Sequence, residues 1–147
     1  MIVDLPHIVT VLATVVTVVI CVLLHYESLS LLGRWLTVER LAHRARIVAM
    51  MFGLVLVHIV EIWMFALTSY LLATRSGFGG FIANIPMIFV DYVYFSAVTY
   101  TSLGFGEIVP YGALRFLAGT EALLGLLMIG WTVAYTHLEM QRYWGRD

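Results

Sequence analysis

Three long runs of apolar residues dominate the chain, and most charged residues fall between or after them. The runs cover about residues 8–24, 47–72 and 114–137. A helix needs about 20 consecutive apolar residues to cross the hydrocarbon core of a bilayer. We therefore expect three transmembrane helices, of which the first is short. A fourth apolar run, at about residues 85–100, is too short to span and predicts a helix that enters the membrane and returns.

The fourth run has its own start and stop signals. Asn84 predicts the N-cap of a helix, and Pro86 suits the first helical turn. Beyond Tyr100, polar residues and glycines interrupt the apolar pattern. Irregular backbone at membrane depth is tolerated only where it is buried in protein or lines a watery pathway. The pattern thus predicts an all-α membrane protein with three transmembrane helices and a re-entrant helix before the third.

The composition agrees with a membrane protein and excludes several other classes. Of the 147 residues 62% are hydrophobic, and the mean hydropathy of +0.97 is beyond that of ordinary soluble domains. The net charge of −1 argues against a nucleic-acid partner, and the lack of lysine excludes lysine-based catalysis. The single Cys21 excludes a disulfide framework. Because Asp4 and no basic residue precedes the first run, we interpret that run as a retained helix rather than a signal peptide.

The arginines are distributed unevenly about the predicted spans. Six of them lie between the first and second spans or after the third: Arg34, Arg40, Arg44, Arg46, Arg142 and Arg146. Only Arg75 and Arg115 flank the short fourth run. Because arginine is enriched in cytoplasmic segments, we expect the linker and the C-terminus in the cytoplasm and the N-terminus outside. The compact chain suggests an integral protein of a bacterial-type cytoplasmic (inner) membrane, in contact with lipid.

The linker between the first two spans is amphipathic. Across residues 31–46, apolar residues such as Leu32 and Trp35 alternate with charged residues such as Arg34 and Arg40. This pattern predicts a helix that lies on the cytoplasmic surface and leads into the second span. A connector exposed to solvent is the alternative.

A glycine-containing segment separates the fourth run from the third span. It reads Thr101-Ser102-Leu103-Gly104-Phe105-Gly106-Glu107. This segment resembles the selectivity filter of the potassium channel family, whose pattern is Thr, Thr or Ser, an aliphatic residue, Gly, Tyr or Phe, Gly, and Asp. The flanks extend the resemblance, because Asp91 to Tyr100 is similar to the family's pore helix and Ile108-Val109-Pro110 to the exit of its filter. A simple turn between two helices is the alternative interpretation.

The resemblance implies a fold, an assembly and a set of site residues. Four chains would form a homotetramer from a pore domain at 47–147, with an extra N-terminal transmembrane helix at 1–30 and the cytoplasmic linker at 31–46. The filter residues would surround potassium, the permeating ion, without any cofactor: Ser102, Leu103, Gly104, Phe105 and Gly106. The residues that would support the filter or form its mouth are Thr101, Glu107, Tyr94, Val98 and Glu121.

The chemistry of the filter explains why these residue types recur. Potassium sheds its water, so rings of backbone carbonyls have to replace the hydration shell. To aim all carbonyls at one axis, alternate residues must leave the usual backbone regions, which Gly104 and Gly106 do without steric penalty. Glu107 replaces the family's Asp, and we expect it to bond to Tyr94. Phe105 replaces the commoner Tyr and has no hydroxyl to tether the filter.

The resemblance also assigns roles along the third span. Gly125 and Gly130 fall near the hinge glycines of the family's inner helix, although glycine is common at close helix contacts as well. By the same alignment Leu126, Ile129 and Val133 would line the cavity or the lower pore, an apolar lining suited to gating by dewetting.

Ionisable residues inside the predicted spans are functional candidates by default, because a charge at membrane depth is costly. Glu121 lies about two turns into the third span. It is either a protonation-sensitive brace behind the filter or a structural hydrogen-bond partner of a neighbouring subunit. His58 and Glu61 are three residues apart on one helical face, as a pH-sensing pair or a satisfied structural pair.

These observations predict a passive potassium-selective channel. A weakly selective monovalent cation channel is the first alternative, because Ser102 and Phe105 soften the family pattern. A non-conducting regulatory membrane subunit is the second alternative, and a separate regulatory subunit of the channel also remains open. An enzyme is not expected, because the chain lacks the His-Glu-x-x-His and Gly-x-Ser-x-Gly motifs.

Overall fold

The computed structural model describes residues 4–38 and 43–144, except for the side chains of residues 35–38, 43, 44 and 142–144. Within these ranges the chain forms four helices and two short strands. In chain order they are α1 (Leu5–Val38), α2 (His43–Ala73), β1 (Gly80–Ile82), α3 (Phe89–Tyr100), β2 (Val109–Tyr111) and α4 (Leu114–Trp144).

Three of the helices are long and apolar enough to cross a membrane, which confirms the three predicted spans. Their apolar segments are Leu5–Arg34, Ala45–Ala73 and Leu114–Gln141. At 1.5 Å per residue, each is longer than the roughly 30 Å needed to cross the hydrocarbon core. The chain is therefore an integral membrane protein whose helices extend beyond the core or tilt within it.

The first helix continues beyond the boundary expected at residue 30. Residues 31–38 extend α1 without a break, so no helix end separates the first span from the linker. Leu32 contacts Gly53 of α2, and Gly33 contacts the hydroxyl of Tyr135 on α4. At Leu32 and Gly33 the chain therefore packs against α2 and α4. Residues 39–42 of the linker lie outside the described residues, and the division into domains stays a prediction.

The short helix starts later than the sequence pattern predicts. Asn84 and Pro86 do not begin it, because α3 begins at Phe89 after an extended Ile88. The carboxylate of Asp91 accepts a hydrogen bond of 2.7 Å from the backbone N–H of Ile88, which satisfies an amide that the first turn leaves unpaired. The expected helix start was therefore wrong by four residues.

A two-stranded antiparallel ribbon closes the region around α3. Strand β1 pairs with β2 in the register Gly80↔Tyr111, Phe81↔Pro110 and Ile82↔Val109. The two ends approach so closely that a Cβ on Gly79 would lie 2.2 Å from the carbonyl oxygen of Tyr111. The ribbon ties the segment before α3 to the segment after it, so α3 and the loop that follows it are held at both ends.

The core lies where α3 inserts between α2 and α4. The buried residues of α3 are Tyr92, Phe95, Ser96, Val98, Thr99 and Tyr100. They meet a cluster that includes Phe65 of α2, Leu117 of α4 and Cys21 of α1, all 1% exposed or less. Large apolar side chains remain exposed on the outer faces of α1 and α2, as expected of surfaces that face lipid.

Candidate functional site

The loop that follows α3, residues 101–107, is called here the glycine loop. It leaves α3 through a Schellman-type turn, in which the N–H of Leu103 donates to the carbonyl of Val98 at 3.0 Å and the N–H of Ser102 donates to that of Thr99 at 2.9 Å. Ser102 has a φ of 56°. A non-glycine residue in this left-handed region costs about 1–2 kcal/mol. The turn therefore directs the loop away from the helix axis at a defined angle.

Gly104 repeats the unusual backbone two residues later. Its φ is +109°, and an added Cβ would meet nothing within 4 Å. The glycine is thus required by its dihedral angle and not by crowding. Gly106 is not among the positive-φ glycines of the described chain. Left-handed backbone on alternate residues therefore occurs at Ser102 and Gly104, rather than at Gly104 and Gly106.

The backbone of the glycine loop is open on one side and anchored on the other. The loop is exposed throughout, and no described residue donates a hydrogen bond to its carbonyl oxygens, including those of Ser102, Leu103, Gly104 and Phe105. On the anchored side, the ring of Phe105 stacks on that of Phe95 at 5.6 Å and 11°. Phe95 is fully buried, so this stack holds the loop against α3 while the carbonyls stay available.

Tyr94 and Glu107 were predicted to form a hydrogen bond at the mouth of the glycine loop. Within the described chain, Tyr94 approaches the loop but does not bond to Glu107. The hydroxyl of Tyr94 lies 3.6 Å from the Cβ position of Gly106. Glu107 is exposed, and no hydrogen bond joins it to Tyr94 within the described chain. Thr101 lies at the end of α3, where its hydroxyl donates to the carbonyl of Ala97 at 2.8 Å.

A buried carboxyl group lies between α4 and α3. Glu121 of α4 is fully buried and lies within hydrogen-bond distance of the Ser96 hydroxyl. That hydroxyl is also 2.8 Å from the carbonyl oxygen of Ile62, which can only accept. Because the Ser96 hydroxyl has a single proton, it can donate to only one of these two oxygens at a time. Glu121 therefore joins α4 to α3 within one chain, and a protonated carboxyl would satisfy both contacts of Ser96.

Gly125 has a structural role at the contact between α4 and α3. An added Cβ would lie 1.9 Å from the carbonyl oxygen of Tyr100, so only glycine permits this approach. Gly130 is different, because it is exposed and an added Cβ would meet nothing within 4 Å. Leu126 and Val133 are exposed, while Ile129 is half-buried against the core. The hinge role of the glycines stays a prediction.

Five polar side chains meet at the C-terminal end of α3, and we call them the membrane polar cluster. They are His25 of α1, His58 and Glu61 of α2, Tyr100 of α3 and Thr132 of α4. Nδ1 of His25 lies 2.9 Å from Glu61 Oε1, and Nδ1 of His58 lies 3.2 Å from Glu61 Oε2. The Tyr100 hydroxyl donates to Glu61 Oε2 at 2.5 Å. The cluster therefore joins all four helices next to the glycine loop.

The sequence pointed to only part of this cluster. His58 and Glu61 were expected on one face of the second span, and they are in contact. His25, Tyr100 and Thr132 were missed, because a single polar residue in an apolar run does not reveal what it faces. The one available signal was the position of His25 directly after the first run, since ionisable residues in spans are rarely without a partner. Ligand atoms of His25, His58 and Glu61 all lie within 4.8 Å of one another.

The order of elements defines a class. Two membrane-crossing helices, α2 and α4, flank a short helix that is followed by a glycine loop with an open backbone, which is the arrangement of a pore-loop membrane protein. A family described as an ion channel matches residues 52–142, well over half of the chain. The chain therefore belongs to this family of two-transmembrane, pore-loop ion channels, the potassium channel family. No curated protein and no solved structure matches it. Helix α1 lies outside the matched segment.

Proposed function

We propose that this protein conducts potassium passively across the membrane through a filter formed by the glycine loop. The observation that carries the proposal is the run of carbonyls from Ser102 to Phe105, which accept no hydrogen bond from the described residues. Unpaired backbone carbonyls at membrane depth are costly unless an ion or water satisfies them. Potassium is a cation whose hydration shell such carbonyls replace. In this proposal α3 is the pore helix.

The electrostatics of α3 support a cation as the permeating species. The C-terminal end of a helix has a partial negative charge from its unpaired carbonyls. In α3 this end leads directly into the glycine loop, at Tyr100 and Thr101. A cation held at the loop would therefore gain from both the helix end and the loop carbonyls, and an anion would be repelled.

A single chain leaves the proposed filter incomplete, which supports a homotetramer. One loop cannot surround an ion, and the glycine loop exposes its whole backbone in the isolated chain. Lipid cannot cover unpaired backbone, so other copies of the chain have to enclose it. Cyclic symmetry is the usual solution for identical chains, and four loops about one axis complete rings of oxygens. The exposed Leu126, Gly130 and Val133 of α4 would then line the cavity on the cytoplasmic side, with the N-terminus outside.

Cation flux through the full-length protein in liposomes tests this proposal. The variant Gly104→Ala should abolish potassium flux, because alanine at a φ of +109° is strained although its Cβ has free space. The matched control is Gly119→Ala on α4, where an added Cβ also meets nothing within 4 Å and the backbone is helical. This control should retain flux.

Three outcomes of the flux experiment have different meanings. Potassium flux that exceeds sodium flux, and that is lost only in Gly104→Ala, supports the proposal. Equal passage of sodium and potassium would replace it with the weakly selective channel. An assembled protein without any flux would contradict conduction and favour the non-conducting subunit, provided that cross-linking shows four chains in each particle.

A further inference from the structure

We propose that the membrane polar cluster binds one divalent transition-metal ion of the zinc type in each chain. The ligands are Nδ1 of His25, Nδ1 of His58 and the two carboxylate oxygens of Glu61, and the Tyr100 hydroxyl donates a hydrogen bond to that carboxylate. Such a site would be closed and structural, because these side chains are buried or nearly so. It goes beyond the proposed conduction of potassium and does not depend on it.

The first support is the convergence of the four ligand atoms. The contacts are 2.9 Å from Nδ1 of His25 to Glu61 Oε1 and 3.2 Å from Nδ1 of His58 to Glu61 Oε2. In a tetrahedral zinc site with bonds of about 2.0–2.1 Å, neighbouring ligand atoms stand about 3.3 Å apart. Small rotations of the side chains would therefore open the cluster to coordination geometry. Two imidazole nitrogens favour zinc-type ions over magnesium or calcium, which take oxygen ligands.

The second support is the common orientation of the two imidazoles. Each directs Nδ1 to Glu61 and Nε2 to the hydroxyl of Thr132, at 3.0 Å for His58 and 3.3 Å for His25. A hydroxyl oxygen has two lone pairs, so Thr132 can accept from both Nε2–H groups. Both Nδ1 lone pairs are then free to bind one ion. Metal-binding histidines are commonly held by such a hydrogen bond from the second ring nitrogen.

Hydrogen bonds without a metal explain the common orientation of the two imidazoles less completely than a bound metal does. If both histidines were neutral and donated from Nδ1 to Glu61, the two Nε2 atoms would compete for the single proton of Thr132. One histidine would have to be an imidazolium to satisfy every group. In that arrangement the two histidines would have different protonation states, whereas both would coordinate a bound metal through Nδ1. The imidazolium–carboxylate pair is therefore the competing explanation that the experiment has to exclude.

A metal at this position would join α1 to the pore-loop unit. Tyr100 immediately precedes the glycine loop, and its carbonyl packs against Gly125 of α4. His25 is the ligand from α1, which lies outside the segment matched to the ion channel family. The ion would hold the additional helix against the end of α3, and this would give the extra helix a defined role.

Metal content of the purified full-length protein in nanodiscs tests the site directly. Elemental analysis after dialysis should find one zinc per chain in the wild type and less than about a tenth of that in His25→Gln and in Glu61→Gln. The matched control is His137→Gln, an exposed histidine near the end of α4, which should keep one zinc per chain. Loss of zinc in this control as well would indicate surface binding and overturn the proposal.

Cobalt substitution in the same protein keeps the test decisive if those variants fail to fold. With Co²⁺ alone as the probe, the wild type should show the visible bands of a four-coordinate ion at one equivalent per chain. Thr132→Val should weaken cobalt affinity by about 10–100-fold while the stoichiometry stays at one, since it removes only the orienting hydroxyl. Wild-type protein without zinc and without cobalt bands, or a Thr132→Val variant of unchanged affinity, would overturn the site and leave the imidazolium–carboxylate pair.

Discussion

The glycine loop and the membrane polar cluster are adjacent, but the polar groups of the cluster are enclosed, whereas those of the loop are exposed. In the cluster, the side chains of Tyr100 and Glu61 are enclosed and hydrogen-bonded to their neighbours. Two residues beyond Tyr100, the carbonyl of Ser102 accepts no hydrogen bond from the described chain. Both regions belong to a protein whose solvent includes lipid, where every polar group needs a partner. Within the described residues, the side chains of the cluster are hydrogen-bonded to one another, whereas the carbonyls of the glycine loop have no protein donor.

Gly125 connects the two regions, and its replacement should have a large effect. In Gly125→Ala the new Cβ would lie 1.9 Å from the carbonyl oxygen of Tyr100, so α4 must move away from the end of α3. Overpacking of this kind costs about 1–3 kcal/mol, and a backbone partner cannot rotate aside. We expect a clearly lower thermal unfolding midpoint, with Gly130→Ala as the control that should leave the midpoint nearly unchanged. Equal midpoints for the two variants would show that α3 and α4 are not in the contact described.

The two buried carboxyl groups should respond differently to the same substitution. Glu61 accepts from the Tyr100 hydroxyl and contacts Nδ1 of both imidazoles, so the neutral amide of Glu61→Gln would remove the carboxylate at the centre of the cluster. Hydrogen bonds to a charged group contribute about 1.5–3 kcal/mol each, and their loss should lower the unfolding midpoint strongly.

The matched substitution Glu121→Gln should be nearly neutral. Its amide N–H can donate to the Ser96 hydroxyl, as the proton of a neutral Glu121 carboxyl would. We expect an unfolding midpoint close to that of the wild type over a range of pH. A loss of stability as large as that of Glu61→Gln would mean that Glu121 is charged.

The stack of Phe105 on Phe95 should have a smaller effect that is specific to the loop. Replacing the exposed ring in Phe105→Leu removes an aromatic pair worth about 0.5–1.5 kcal/mol beyond its burial and leaves the pair of Phe95 and Phe81 in place. The loop would then be held less firmly, so we expect reduced discrimination between potassium and sodium in reversal potentials. If selectivity were unchanged while stability fell, the stack would serve only the core.

Removal of the Tyr94 hydroxyl should have the smallest effect. Tyr94 is 45% exposed, and its hydroxyl only approaches Gly106 without bonding to Glu107 in the single chain. Tyr94→Phe should therefore change the free energy of unfolding of the dissociated chain by less than about 0.5 kcal/mol, as is usual for surface substitutions. A large change in ion flux would instead indicate that neighbouring chains complete a bond between Tyr94 and Glu107.

The start of α3 illustrates the limit of local signals. Asn84 and Pro86 are good helix-start residues in isolation, but both lie in the segment between β1 and α3, which bends at Asn84. The helix begins only where Asp91 can satisfy the N–H of Ile88. A side-chain acceptor three residues beyond Ile88 therefore marks the start of α3, and the preferences of single residues did not reveal it.

The sequence by itself determined the three spans and the position of the glycine loop. Span length follows from the thickness of the bilayer and depends on local residues alone. Glycine permits a positive φ without requiring it, since Gly104 has one and Gly106 does not. Only the tertiary structure decided which polar groups meet. His25 and Thr132 are 107 residues apart along the chain, and packing of α1 against α4 brings them within 3.3 Å. Their contact depends on helix packing, which the order of residues within any single helix does not determine.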